Sequence, residues 1–392
     1  MLYRRKFLKR AGYTTLSALL TTSFLQKDKQ KEDYSTNADI GNYANTNVNS
    51  SLRQLAAAKG KLYGAAISSD ILLKEKDYAN LIARECSIVT PNGELKWNAT
   101  EPQPGQFTFE SADAIADFCQ KYNIDMHGHT LFWHMGRPDW LPYPPTLKMI
   151  EQHVKGVMGH YRNSKVLKSW DIANEIIADN ENETDNPTYG LRRGLKPELI
   201  RDLFLIAASV DNSKKFYLND FGIEGATWKS DRFLKIVEYL KNSGVKIDGA
   251  GIQSHLWFST AYSFDEKGFN SVLKRLNDIE VKPIITELDI IIDAPLPDSI
   301  QKLDQMVADS YKRYLDLCFA AKVDTVITWG LTDRHTWIRH PDWMPRQRFR
   351  ENPNLWKFLR PLPFDENLQP KFARNAIAQA FEQATYTTPT YK

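Results

Sequence analysis

At 392 residues the chain is long enough for one large domain or two ordinary ones with a substantial core. Its hydrophobic share of 42% and charged share of 25% are those of a soluble globular protein, and a net charge of +3 excludes a global basic footprint for nucleic acid. Ten Trp, 17 Tyr and 19 Phe supply flat faces suited to sugar rings, although a large core accounts for them first.

The first element is no part of the fold. MLYRRKFLKRAG sets Arg4 and Arg5 before Phe7 and Leu8, and a short Ala/Leu/Thr stretch from Ala11 to Leu25 follows. This pattern predicts a twin-arginine-type export signal over residues 1–30, against the alternative of an amphipathic first helix. Thr and Ser interrupt the run, whereas a span needs roughly 20 apolar residues, so no stable membrane insertion is expected. Residues 31–50 then read as a polar linker. The expected location is the periplasm or the extracellular space.

From Leu62 onward, short β-prone runs alternate with stretches of helical periodicity. The runs are 62–70, 87–91, 125–134, 169–175, 215–221, 249–256, 282–290 and 325–333. Between them lie amphipathic segments such as ADAIADFCQKYN and SDRFLKIVEYLKNSG, the latter ending on a stop signal. Alternating strand and helix implies parallel pairing. Eight units in this length predict a single-domain (β/α)8 TIM barrel over 51–385, with a short tail at 386–392. The rival is an open doubly wound sheet, which usually carries a Gly-rich phosphate turn after its first strand. Here that run is LYGAAISSD, with a single glycine. Cys86, Cys119 and Cys318 read as buried thiols, with one pairing left open.

Polar groups cluster where the runs end. Lys96 follows the second run, His129 and His134 lie in the third, Asn174 and Glu175 end the fourth, and Asn219 and Asp220 end the fifth. The sixth brings Gln253 and His255, the seventh Glu287 and Asp289, the eighth Trp329 and Asp333. A barrel gathers these ends on the face where its active sites are built. That explains a carboxylate at the tip of the apolar run SWDIANE. Two carboxyls flanking one linkage are the working parts of most glycosidases; a gap of about 5–5.5 Å goes with retention and about 6.5–9.5 Å with inversion. Of two such carboxyls the less solvated keeps its proton longer, which predicts a raised pKa for Glu175. The histidines of HGHTLFWH invite a metal reading. Strand alternation sends His129 and His134 to opposite faces, and no Cys or HExxH pattern accompanies them, so neither metal nor cofactor is expected.

WDIANEIIAD resembles the WDVVNE signature of the family-ten glycoside hydrolases, the endo-1,4-β-xylanases, and ITELD resembles their nucleophile motif. The likeness continues in order through GHTLFWH, LND, IQSHL and ITWGLTDRHTW, from Ser51 to about Glu382. It implies that Glu287 is the nucleophile and Glu175 the acid and then the base, with Asn174 on the sugar 2-hydroxyl and His255 and Asp289 tuning the nucleophile. It also implies that Lys96, His129, Trp133, Gln253, Trp329 and Trp337 hold the sugar beside the cleaved bond. The expected activity is retaining, endo-acting hydrolysis of β-1,4-xylosidic bonds in xylan, by a monomer whose partner is the polysaccharide and not nucleic acid. The alternatives are a related barrel acting on another β-glucan or on short oligosaccharides, and a non-catalytic carbohydrate-binding barrel.

Some departures are concentrated. The family usually reads TPENEMKW where this chain has TPNGELKW, so Asn92 and Gly93 replace groups that the resemblance places on the second glycone sugar. Gly136 replaces a Gln at the same subsite, and Phe221-Gly222 replace Tyr-Asn beyond the cleaved bond. Weaker remote grip is expected, because remote binding supports the chemical step. After the eighth run, residues 334–356 mix Arg339, Arg346, Arg348 and Arg350 with Trp337, Trp343 and Trp356. A long salt-bridged loop is the expectation, with binding of acidic sugar groups or of nucleic acid as the alternatives.

Overall fold

Gly64, in the first strand, pairs with Ile88 on one side and with Ile327 on the other, so the first strand lies beside both the second and the last. The computed structural model describes Tyr43 and residues 50–259, 264–340 and 347–387. The expected export signal and nearly all of the linker lie outside the described residues, as do Arg346 and Trp343.

Eight strands form the ring: β1 (Leu62–Ile67), β2 (Ile88–Pro91), β3 (Asp125–Gly128), β4 (Leu167–Asn174), β5 (Lys215–Asp220), β6 (Gly249–Ile252), β7 (Lys282–Ala294) and β8 (Thr325–Thr328). Every neighbouring pair is parallel, and β8 closes onto β1. The expected (β/α)8 barrel is the observed fold. The strands are buried almost throughout, as parallel strands covered on both faces must be. At Gly128 the indole of Trp170 lies 2.2 Å from where a Cβ would stand, so β3 and β4 approach only because that side chain is missing.

The covering helices are α1 (Lys76–Glu85), α2 (Glu110–Tyr122), α3 (Leu147–Tyr161), α4 (Pro197–Val210), α5 (Trp228–Asn242), α6 (Glu266–Asp278), α7 (Ile300–Ala320) and α8 (Phe372–Gln383). Each buries one stripe; in α4 it is Ile200, Leu203, Phe204 and Ala207, at helical spacing behind a proline in the first turn. Thr227 and Ser230 form a capping box at the start of α5. An N-terminal helix, Leu52–Ala58, packs on α8, which packs on α7. All three cysteines are free and buried. Among the described residues no helix is long and apolar enough to cross a membrane.

Strand ends at the mouth differ from expectation: β1 and β8 stop early, at Ile67 and Thr328, and three further differences shape the site. β3 stops at Gly128, so the alternation argument for His129 and His134 does not apply beyond it. β6 stops at Ile252, and after Gln253 and Ser254 a separate strand, His255–Ser259, pairs with the far end of β7. Ser254 causes the break with a left-handed φ of 64°. Its N–H donates to Glu224 Oε1 at 2.8 Å, and its hydroxyl lies 2.7 Å from that of Tyr314. β7 gains that partner and runs on to Ala294.

Candidate active site

β4 delivers two adjacent groups to the mouth. Asn174 is its last residue, and Glu175 follows with a φ of 53°. A left-handed non-glycine residue costs about 1–3 kcal/mol and persists only where its surroundings over-determine it. Here they do. The Glu175 N–H donates to the Asn219 carbonyl at 2.9 Å, and the Glu175 carbonyl accepts from Arg192 Nε at 2.7 Å. Its carboxylate accepts from Trp133 Nε1 at 2.8 Å and from Gln253 Nε2 at 3.0 Å.

A chain of amides joins this carboxylate to the one on β7. Gln253 Nε2 also lies 3.2 Å from Asn174 Oδ1, and Asn219 Nδ2 donates to Asn174 Oδ1 at 2.9 Å and to Glu287 Oε1 at 2.8 Å. The Asn219 oxygen accepts from Thr286 Oγ1 at 2.7 Å, which fixes the direction of the amide. On its other side Glu287 Oε2 lies 3.2 Å from His255 Nε2. His255 Nδ1 is 3.0 Å from Asp289 Oδ2, which also accepts from Trp337 Nε1 at 2.7 Å.

Aromatic walls complete the set. Lys96 Nζ lies 4.6 Å from the ring centroid of Trp133 and 5.9 Å from that of Trp329. His129 packs edge-on to Trp329, with centroids 5.4 Å apart, and its Nδ1 is 2.8 Å from Asp171 Oδ2 on β4. The His255 ring is 5.1 Å from that of Trp337. All eleven residues named from the sequence for catalysis, support and binding thus belong to one connected set of contacts.

The electrostatics correct one expectation. Burial by itself would push the Glu175 carboxyl up, but His134, Arg192 and the hydrogen bonds from Gln253 and Trp133 outweigh it and hold the group below its ordinary value. Burial and the nearby Arg192 push His134 down to about 4. His134 is therefore uncharged at neutral pH and opposes burial only in the acid range, where Glu175 itself titrates. The raised pKa expected from burial and a second carboxylate is overturned by these partners. Burial would likewise lower His255, yet Asp289 and Glu287 on either side raise it well above its ordinary range, so an imidazolium stands between two carboxylates.

Two groups escaped sequence reasoning. Asn219 carried a signal, its place in LND at a strand tip, but no role was read from it. Arg192 carried none: it sits in a small hairpin, Thr184–Asn186 with Leu191–Arg192, far from any strand motif. The departures also take shape. A Cβ at Gly93 would meet nothing within 4 Å, whereas one at Gly136 would lie 2.9 Å from Trp133 Cε3 and 3.4 Å from Lys96 Cβ. Lys229 Nζ lies 3.2 Å from the Phe221 ring centroid and 2.9 Å from Asp220 Oδ1. In the basic segment, Arg339 pairs with Glu366 and Arg348 with Asp293, while Arg350 is exposed. For the described residues, a largely salt-bridged loop is what the segment forms.

Residues 51–380 match the family model described as glycosyl hydrolase family 10. Endo-1,4-beta-xylanase 2 of Aureobasidium pullulans is 31% identical over 322 residues, covering 78% of this chain and 84% of the relative. Endo-1,4-beta-xylanase B of Thermotoga neapolitana is 29% identical over 313 residues, with coverages of 78% and 84%. The crystal structure of xylanase 10B from Thermotoga petrophila RKU-1 in complex with xylobiose superimposes with a TM-score of 0.72 at 28% identity, covering 86% of this chain and 98% of that one.

Proposed function

The chain belongs to glycosyl hydrolase family 10, and from that membership and the geometry of its mouth we infer that it is an endo-1,4-β-xylanase working with retention of configuration. The observation that carries the reading is the amide chain that holds Glu175 and Glu287 in one site: Gln253, Asn174 and Asn219 bond to one carboxylate, to the other or to each other.

In the first step a Glu287 oxygen attacks C1 of the sugar, the bond from C1 to the bridging oxygen breaks, and Glu175, which must be protonated in the substrate complex although the free protein holds its carboxyl low, passes its proton to that oxygen as the shortened chain leaves. In the second step Glu175, now a carboxylate, takes a proton from water. The water oxygen bonds to C1, and the ester to Glu287 breaks. His255 serves Glu287 with its Nε2–H and is charged by its place between two carboxylates, which stabilises the ionised nucleophile. Asn174 is assigned to the sugar 2-hydroxyl, and Lys96, His129, Trp133, Gln253, Trp329 and Trp337 to the sugar beside the cleaved bond.

The natural setting is part of the same reading: an exported monomer acting outside the cytoplasm on xylan, sent there by the twin arginines at Arg4 and Arg5. Product analysis on xylans and β-glucans, with the anomeric proton followed in real time, tests the activity. Release of β-configured xylo-oligosaccharides that mutarotate afterwards is expected. Initial α products, or cleavage confined to glucans, would overturn it.

A further inference from the structure

We propose that Arg192 is a positioning residue for the acid and base carboxylate: from its hairpin it clamps the Glu175 carbonyl and so fixes the direction in which the strand-tip turn aims the side chain. The proposal rests on the reading of Glu175 as the acid and base.

The clamp is built from both backbone and side chain. The hairpin docks directly behind Glu175: the Arg192 N–H donates to the Ile176 carbonyl at 2.8 Å, and the Ala178 N–H donates to the Gly190 carbonyl at 2.8 Å. The Arg192 side chain, only 12% exposed, then turns back along the strand. Its Nε donates to the Glu175 carbonyl at 2.7 Å, while its two terminal nitrogens fork onto Asp179 at 2.9 and 3.2 Å. Asp179 in turn lies 3.4 Å from Lys229 Nζ, which ion-pairs at 2.9 Å with Asp220, a fully buried residue of β5. The guanidinium is thereby anchored to the barrel wall.

This arrangement meets a specific need. Glu175 sits at a φ of 53° without being glycine, so the peptides on its two sides must both be held. Asn219 holds the one before it and Arg192 the one after it. A lysine at this place keeps the charge but has no planar fork with which to grip Asp179 and the carbonyl together. The charged and titratable groups around Glu175 are His134 from the loop after β3, Arg192 and Asp179 from the connection after β4, Asp220 on β5 and Lys229 on α5. Of these, Arg192 is bonded to the Glu175 backbone.

The test compares two substrates, an aryl xylobioside with a 2,4-dinitrophenolate leaving group, which needs no protonation, and xylotriose, which does. A well-placed acid is worth roughly 10²–10⁴ in rate, and misplacement by about 1 Å costs up to ~10²-fold. Arg192→Lys is therefore expected to lower kcat/KM on xylotriose by about 10- to 100-fold while leaving the activated substrate within about twofold. Asp179→Asn, which loosens the fork without removing the arginine, is expected to give the same split in milder form, and it stands in should Arg192→Lys fail to fold. Equal losses on both substrates, or no loss on xylotriose, overturn the proposal. Glu175→Ala is the control. If it shows no split, the acid assignment itself has failed; if it does while the Arg192 and Asp179 variants show none, the clamp alone is wrong.

Discussion

Asn219 Nδ2 donates to Glu287 Oε1 at 2.8 Å, and its second hydrogen reaches Asn174 Oδ1 at 2.9 Å. One buried amide thereby serves both the proposed nucleophile and the proposed 2-hydroxyl contact. Asn219→Asp replaces the donor with a carboxylate facing two acceptors. Two carboxylates at this spacing resist ionising together. The variant is expected to lose on the order of 10²-fold in kcat/KM, by analogy with the loss of a preorganised donor. The acid limb of its pH–rate profile should move to higher pH. An unchanged limb would mean that the 2.8 Å contact does not couple to the chemistry.

Exchanging the glutamates separates their roles. Glu287→Gln keeps the shape but removes the attacking carboxylate, so substrates with good and poor leaving groups should both fall to background. Glu175→Ala should lose roughly 10²–10⁴-fold on xylan and far less on a dinitrophenyl glycoside. Parallel losses in the two variants, measured as kcat/KM on both substrates, would remove the division of labour.

The barrel was legible in the sequence because burial on both strand faces leaves a pattern of short β-prone runs, and polar groups such as Glu175 and Glu287 interrupt it at the tips. The mouth's finer geometry was not. Ser254 gives no sign that it takes a left-handed turn, because what holds it there is Glu224 from a different strand's loop. Arg192 lies 17 positions from Glu175, in a hairpin whose docking is decided by tertiary contacts. The proton affinity of Glu175 depends on such distant partners, so reasoning from burial and a second carboxylate gave the opposite direction.

That correction can be measured. With burial outweighed by His134, Arg192, Gln253 and Trp133, the Glu175 carboxyl of the substrate-free protein should titrate below the ordinary value of about 4.3. Carboxyl carbon-13 shifts, assigned by comparison with Glu175→Gln, provide the readout. A midpoint above about 5 would restore the raised value that burial alone predicts. For stability the sign is that of a depressed carboxylate: its contribution is present above the unfolded value and is lost as pH falls through the folded one.

His255 behaves in the opposite sense. Its folded value is raised by Asp289 and Glu287 against burial. Its contribution is therefore complete below the unfolded value of about 6.5, provided that both carboxylates are still ionised, and it is lost as pH rises through the folded value. His255→Gln should lower Tm most near pH 6 and progressively less in alkaline solution. A Tm difference that stays constant or widens with pH would show that the imidazolium is not what binds the two carboxylates together.

The two glycines of the glycone side call for different outcomes from similar substitutions. At Gly93 a new side chain meets open space, so Gly93→Asn adds a polar group to the cleft without displacing anything. If that place faces the second glycone sugar, kcat/KM on xylotriose should rise severalfold relative to xylobiose, since one new hydrogen bond is worth about 0.5–1.5 kcal/mol. At Gly136 a Cβ stands 2.9 Å from Trp133 Cε3, and Trp133 is the residue whose Nε1 bonds Glu175. Gly136→Gln must move that indole before its amide can reach a sugar, and displacing it loosens the hold on the acid. The expected result is a fall in kcat on xylotriose, largest for substrates that need protonation. Trp133 and Gly136 have therefore to be exchanged together if this subsite is to be rebuilt, and a Gly136→Gln variant that gained activity alone would show that the indole yields freely.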